Sequence, residues 1–144
     1  MPPTTETDRR FLERNRDRLS KTTMRAKWTN EPAEGADRDG QTLATRSHDV
    51  IRSWADRRAA LPVAASRGQD GEPRILRLAF HARREDGAGS RLERLTWEQW
   101  LDVFDRRELV FLYQERRADG SASNFFRLDN PKREDGQPRA TGRA

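Results

Sequence analysis

The chain contains no cysteine. Disulfides, thiolate nucleophiles and cysteine-ligated zinc are thereby excluded, and the composition suits a reducing compartment. No apolar run comes near the roughly 20 residues that a membrane-spanning helix needs. The opening MPPTTETDRRFLERNRDRL also lacks the apolar core of a secretory signal. A cytoplasmic location with no membrane contact is the expectation. Histidine is nearly missing too. His48 and His81 are the only two, with no H-x-x-x-H or H-x-H spacing to anchor a metal. Both are read as surface or capping residues, and no metal is expected. Phosphate-cradling and nucleophile-elbow signatures are absent, and Gly87-Ala88-Gly89 is too short to replace them. No spacing brings a base to a serine or threonine. No catalytic residue or cofactor is therefore assigned, and the chain is read as not an enzyme.

What is present is charge. Charged residues make up 37% and hydrophobic residues 33%, above and below the usual globular proportions. One packed domain over the whole chain is not expected. The aromatic residues are uneven: three of four Trp, the only Tyr and five of six Phe lie between Trp54 and Phe126. The reading is a mobile basic arm and linker over 1–45, a compact α+β module over 46–130 and a disordered tail over 131–144. The net charge of +5 sits in one place. Arg9, Arg10, Arg14, Arg16, Arg18, Lys21, Arg25 and Lys27 give Arg9–Lys27 eight basic against two acidic residues, and everything else nets −1. Phe11, Leu12 and Leu19 offer that segment only a thin apolar stripe, marginal for an isolated helix. Glu31–Gly40 (EPAEGADRDG) reads as a linker.

The module begins at Ser47, a helix cap followed by the stripe Val50, Ile51, Trp54 and Ala55. Pro62 predicts the end of that helix near Ala60 or Leu61. Ser66–Pro73 reads as a loop. Arg74–His81 (RILRLAFH) alternates as a half-buried strand does, Ala82–Ser90 as a loop, and Arg91–Leu95 as a short strand. Thr96 and Gln99 form a capping box, Leu95 and Trp100 a hydrophobic staple. Trp97, Trp100, Leu101 and Phe104 then make one apolar helix face. Leu109–Glu115, a turn near Ala118–Gly120 and Asn124–Leu128 read as a hairpin. The expected fold is a small antiparallel sheet with two amphipathic helices packed on one face. Ile51, Trp54, Leu76, Leu78, Phe80, Trp97, Trp100, Leu101, Phe104, Leu112 and Phe126 should carry its core. No internal repeat is visible.

The series HDVIRSWA (His48–Ala55), LTWEQWLDVF (Leu95–Phe104), LVFLYQE (Leu109–Glu115) and FFRL (Phe125–Leu128) resembles a group of small bacterial proteins, over roughly Ser47–Asn130. The resemblance implies a helix–strand–helix–hairpin module and brings no activity with it. Such proteins are sometimes labelled after a glucan-branching enzyme, which suggests an accessory role in carbohydrate metabolism. A branching enzyme itself is a large barrel with carboxylates on several strands, beyond what this module can build.

Three constellations remain. Glu98, Asp102 and Asp105 share the outer face of the second helix, where water should solvate them. Phe111, Tyr113 and Phe125, with Arg116, Arg117 and Arg127 nearby, resemble a base-stacking platform, but strand alternation sends about half of such rings into the core. The basic arm concentrates cations as nucleic-acid-gripping arms do. The expected function is a non-catalytic module acting through a protein partner or self-association. The alternative is weak, sequence-tolerant nucleic-acid binding through the arm.

Overall fold

A computed structural model of the chain describes residues 5–65, 75–80, 92–131 and 141–142. In chain order its elements are α1 (Glu6–Arg14), α2 (Lys21–Arg25), β1 (Lys27–Trp28), β2 (Thr42–Thr45), α3 (His48–Arg57), β3 (Leu61–Ala64), β4 (Leu76–Ala79), β5 (Glu93–Arg94), α4 (Trp97–Arg106), β6 (Val110–Gln114), β7 (Phe126–Asp129) and β8 (Thr141–Gly142). The expected α+β class holds. The described strands form two sheets, one ordered β1-β2-β6-β7-β8 and one ordered β4-β3-β5, and among them only the β1–β2 pairing is parallel.

The continuous apolar run Val110–Tyr113 is explained by the place of β6, which is buried on both faces. Phe111 and Tyr113 point to one side, where they meet Leu43, Trp54, Phe104, Phe126 and Leu128 beneath α3 and α4. Val110 and Leu112 point to the other, where Ala44, Phe11, Leu19 and Trp28 form a second, smaller core. Every expected core residue is buried except Trp97, which is half-buried. Both helix starts follow the sequence signals. Ser47 Oγ accepts from Val50 N, and Thr96 forms the reciprocal capping box with Gln99 at 3.0 and 2.9 Å.

Residues 5–45 are not a mobile arm. Phe11 and Trp28 are each only 2% exposed, and their rings lie 6.3 Å apart over the sheet. The stripe that is too thin for an isolated helix is completed from outside, by Trp28 and the second face of β2 and β6. Glu31–Gly40 is not a free linker either. Lys27 Nζ donates to Gly35 O at 2.8 Å, Ala36 N donates to Glu115 Oε1 at 3.0 Å, and Arg116 Nε pairs with Asp39 at 2.6 Å. The boundary drawn at residue 45 therefore falls at the edge of a sheet strand. In the segment read as a disordered tail, Thr141–Gly142 pairs with β7. The loops expected at 66–73 and 82–90, with His81 and Gly87–Gly89, lie outside the described residues, as does 132–140.

The strand β3 gave no sequence signal, because Pro62 argues against a central strand. Ala65 N donates to Ile75 O, so alternate residues of β3 address β4 and the others address β5. Pro62 falls in the second set. Its missing donor lies just past the end of β5, and its carbonyl still accepts from Leu95 N at 3.0 Å.

The structure also contains a repeat. Ser47 and Thr96 cap helices of 10 residues each. Each helix ends on an arginine cap, Arg58 or Arg107, after an Asp-Arg or longer Asp-Arg-Arg match (Asp56-Arg57-Arg58, Asp105-Arg106-Arg107). Each is followed by a left-handed residue, Ala59 (φ 55°) or Glu108 (φ 54°), and then by a strand and its hairpin partner. The units β2–α3–β3–β4 and β5–α4–β6–β7 exchange their first strands: β2 pairs with β6, and β5 pairs with β3. Sequence comparison misses this because the core residues differ in size, Ala60 and Ala64 in one unit standing where Leu109 and Tyr113 stand in the other.

Both helix ends close as glycine ends do, without glycine. Ala60 N reaches Ala55 O at 2.9 Å and Leu109 N reaches Phe104 O at 3.1 Å. A left-handed alanine or glutamate costs about 1 kcal/mol relative to glycine. Ala59→Gly and Glu108→Gly should therefore each raise stability by about 1 kcal/mol in urea titrations, and the two gains should add.

Candidate functional site

The basic segment is the candidate that the fold changes most. Phe11, Leu19 and Trp28 seat it on the larger sheet. Buried Asp129 holds its second helix, its Oδ2 accepting from Ser20 N at 2.8 Å and from Thr23 Oγ1 at 2.6 Å. Asn15 Nδ2 closes α1 by donating to Phe11 O at 3.0 Å. The result is a layer of fixed cations. Arg9, Arg10, Arg14, Arg16, Arg18, Lys21 and Arg25 are exposed on it. Arg10 pairs with Glu6 one helical turn away, an exposed pair of small worth. Arg14 lies 5.8 Å from the Phe11 ring centre, and Arg18 Nη1 donates to Pro131 O at 3.4 Å. Lys27 does not belong to this group, because its ammonium is turned inward to Gly35 O and Asp37.

The other constellations are mostly structural. Phe111 and Tyr113 are buried in the core and Phe125 is half-buried, so the hairpin offers no open stacking platform. On α4, Asp102 pairs with Arg106, and Asp105 meets His48, whose Nε2 lies 2.9 Å from both carboxylate oxygens. That pair ties the start of α3 to the end of α4. Among the described residues no three His, Cys, Asp or Glu side chains cluster as metal ligands would.

Two polar groups, Arg58, which no sequence pattern marks, and Tyr113, have strongly altered environments. Arg58 stacks 4.2 Å over the Trp54 ring and donates to Ser123 O at 2.6 Å and Glu115 O at 3.1 Å. Burial pulls its pKa down to about 10, and it remains charged at neutral pH. Tyr113, buried in the core, shares a 2.6 Å hydrogen bond with Thr29. Burial pushes its phenol up from 10.0 to about 12, against a smaller opposing effect of that bond. Because the folded-state pKa lies above the unfolded one, this contribution is complete below pH 10 and disappears as pH rises through about 12. A shift of this size corresponds to about 3 kcal/mol. Tyr113→Phe should be less stable than the parent protein by about 1 kcal/mol at neutral pH. It should also lose less stability than the parent between pH 10 and 12, as urea titrations at several pH values would show.

No protein-family model, curated protein or solved structure matches the chain. No helix among the described residues is long and apolar enough to cross a membrane.

Proposed function

We propose that the protein is a non-catalytic α+β module of the bacterial cytoplasm that acts by association with a protein partner or with a second copy of itself. The observation that carries this reading is where the unusual polar groups are directed. Tyr113 joins β6 to the stretch after β1, Arg58 joins α3 to the β6–β7 hairpin, and Asp129 joins β7 to α2. Each is consumed in joining one element to another, and they do not converge on a common point where a reacting atom would sit.

Light scattering on the full-length protein, with crosslinking in cells that make it and identification of the joined residues, tests the proposal. A concentration-dependent dimer, or one partner joined reproducibly at residues of the module, is the expected result. A protein that stays monomeric and crosslinks to nothing, or that turns over a substrate, overturns it.

A further inference from the structure

Between Arg9 and Arg25 seven cations face only two acids, Glu13 and Asp17. Among the described residues Arg9, Arg16, Lys21 and Arg25 have no acidic partner. Four cations elsewhere in the fold are neutralised, Lys27 by Asp37, Arg57 by Glu115, Arg106 by Asp102 and Arg116 by Asp39. An excess of unpaired cations carried on one layer of fixed backbone has high potential and little backbone entropy left to lose on binding. We propose that the α1–α2 layer is a docking face for the phosphate backbone of a nucleic acid, a surface separate from the protein association argued above and not dependent on it.

The chemistry of the face selects this partner. A protein interface needs apolar anchors at its centre, and Met24 is the only large apolar side chain exposed on the segment. A membrane surface needs bulky residues to insert, yet Phe11 and Leu19 are buried against the sheet. Phosphate needs neither, only cations and hydrogen-bond donors. The aromatic rings of this region, Phe11 and Trp28, are buried and unable to stack on bases. Binding should accordingly be insensitive to base sequence. Because the cations stand on two short helices and the turn between them, seated through Phe11 and Leu19 and, at α2, through Asp129, the spacing of their backbone positions is set by the fold.

The test is fluorescence anisotropy of labelled duplex DNA and single-stranded RNA of mixed sequence with the full-length protein, at two salt concentrations, beside co-sedimentation with phosphatidylserine vesicles. Four phosphate contacts predict that affinity for duplex falls about 100-fold between 50 and 200 mM salt. The variant R9Q/R16Q/K21Q/R25Q should lose most of that salt dependence. The variant R38Q/R52Q/R94Q/R117Q, which removes the same charge from exposed sites elsewhere, should keep it. Equal losses in both variants would reduce the effect to net charge and overturn the proposal. So would absence of salt-dependent binding, or binding to vesicles alone. Should the first variant fail to fold, R16Q/K21Q reads the same slope at half the change.

Discussion

Trp54→Ala should remove about 3–5 kcal/mol of stability, a large part of the 5–15 kcal/mol that a domain possesses. Trp54 is fully buried at the meeting point of the two repeated units. Its ring centre lies 5.4 Å from Phe111, 6.1 Å from Phe80, 6.2 Å from Tyr113 and 6.4 Å from Phe126, all close to edge-on. Its indole N–H donates to Gln114 O at 2.8 Å, and Arg58 covers its face. Truncation opens a cavity, frees a carbonyl and leaves a partly desolvated guanidinium without its ring. Urea unfolding should show a much lower midpoint with an unchanged slope. Trp54→Phe, which keeps most of the ring contacts and loses the N–H, should cost less, about 1–2 kcal/mol. Equal losses for the two substitutions would mean that the hydrogen bond, and not packing, holds the units together.

Asp129→Ala should cost about 3 kcal/mol, because Ser20 N–H and the Thr23 hydroxyl each lose a buried acceptor worth about 1–3 kcal/mol. Asp129 is fully buried, and Thr23, also fully buried, has no route to water in its place. Asp129→Asn keeps one carbonyl oxygen and should lose less. The consequence reaches beyond stability: Asp129 sets where Lys21 and Arg25 stand, so the alanine variant should show faster amide exchange at Ser20 and Thr23. Unchanged exchange there would mean that Phe11, Leu19 and Trp28 alone fix the layer.

What the sequence disclosed was local. Ser47 and the Thr96–Gln99 box carry their signals within four residues, and α4 shows its face through Trp97, Trp100, Leu101 and Phe104. The hairpin is legible from β-formers around a turn whose Gly120 takes a positive φ of 88°. What stayed hidden depends on distant partners. Phe11 looks like a lone ring until Trp28 and Val110 are placed against it. Asp129 looks like any strand-end acid until the chain returns Ser20 and Thr23 to it from more than a hundred residues away. Lys27 belongs to the basic run by position and leaves it by direction, since Gly35 and Asp37 turn it inward. Pro62 concealed β3, because the rule against central prolines ignores the short neighbour beside it.

The exchange of leading strands between the two units has a cost during synthesis. β2 is complete at Thr45, but its neighbour β6 does not begin until Val110. At about 5–20 residues per second, the ribosome leaves Leu43 and Ala44 with β1 as their one paired strand for several seconds. β3 likewise waits for β5, which completes the smaller sheet at Arg94, before β6 begins. Closure of the larger sheet is therefore a late event in synthesis, after all three strands of the smaller one have been made.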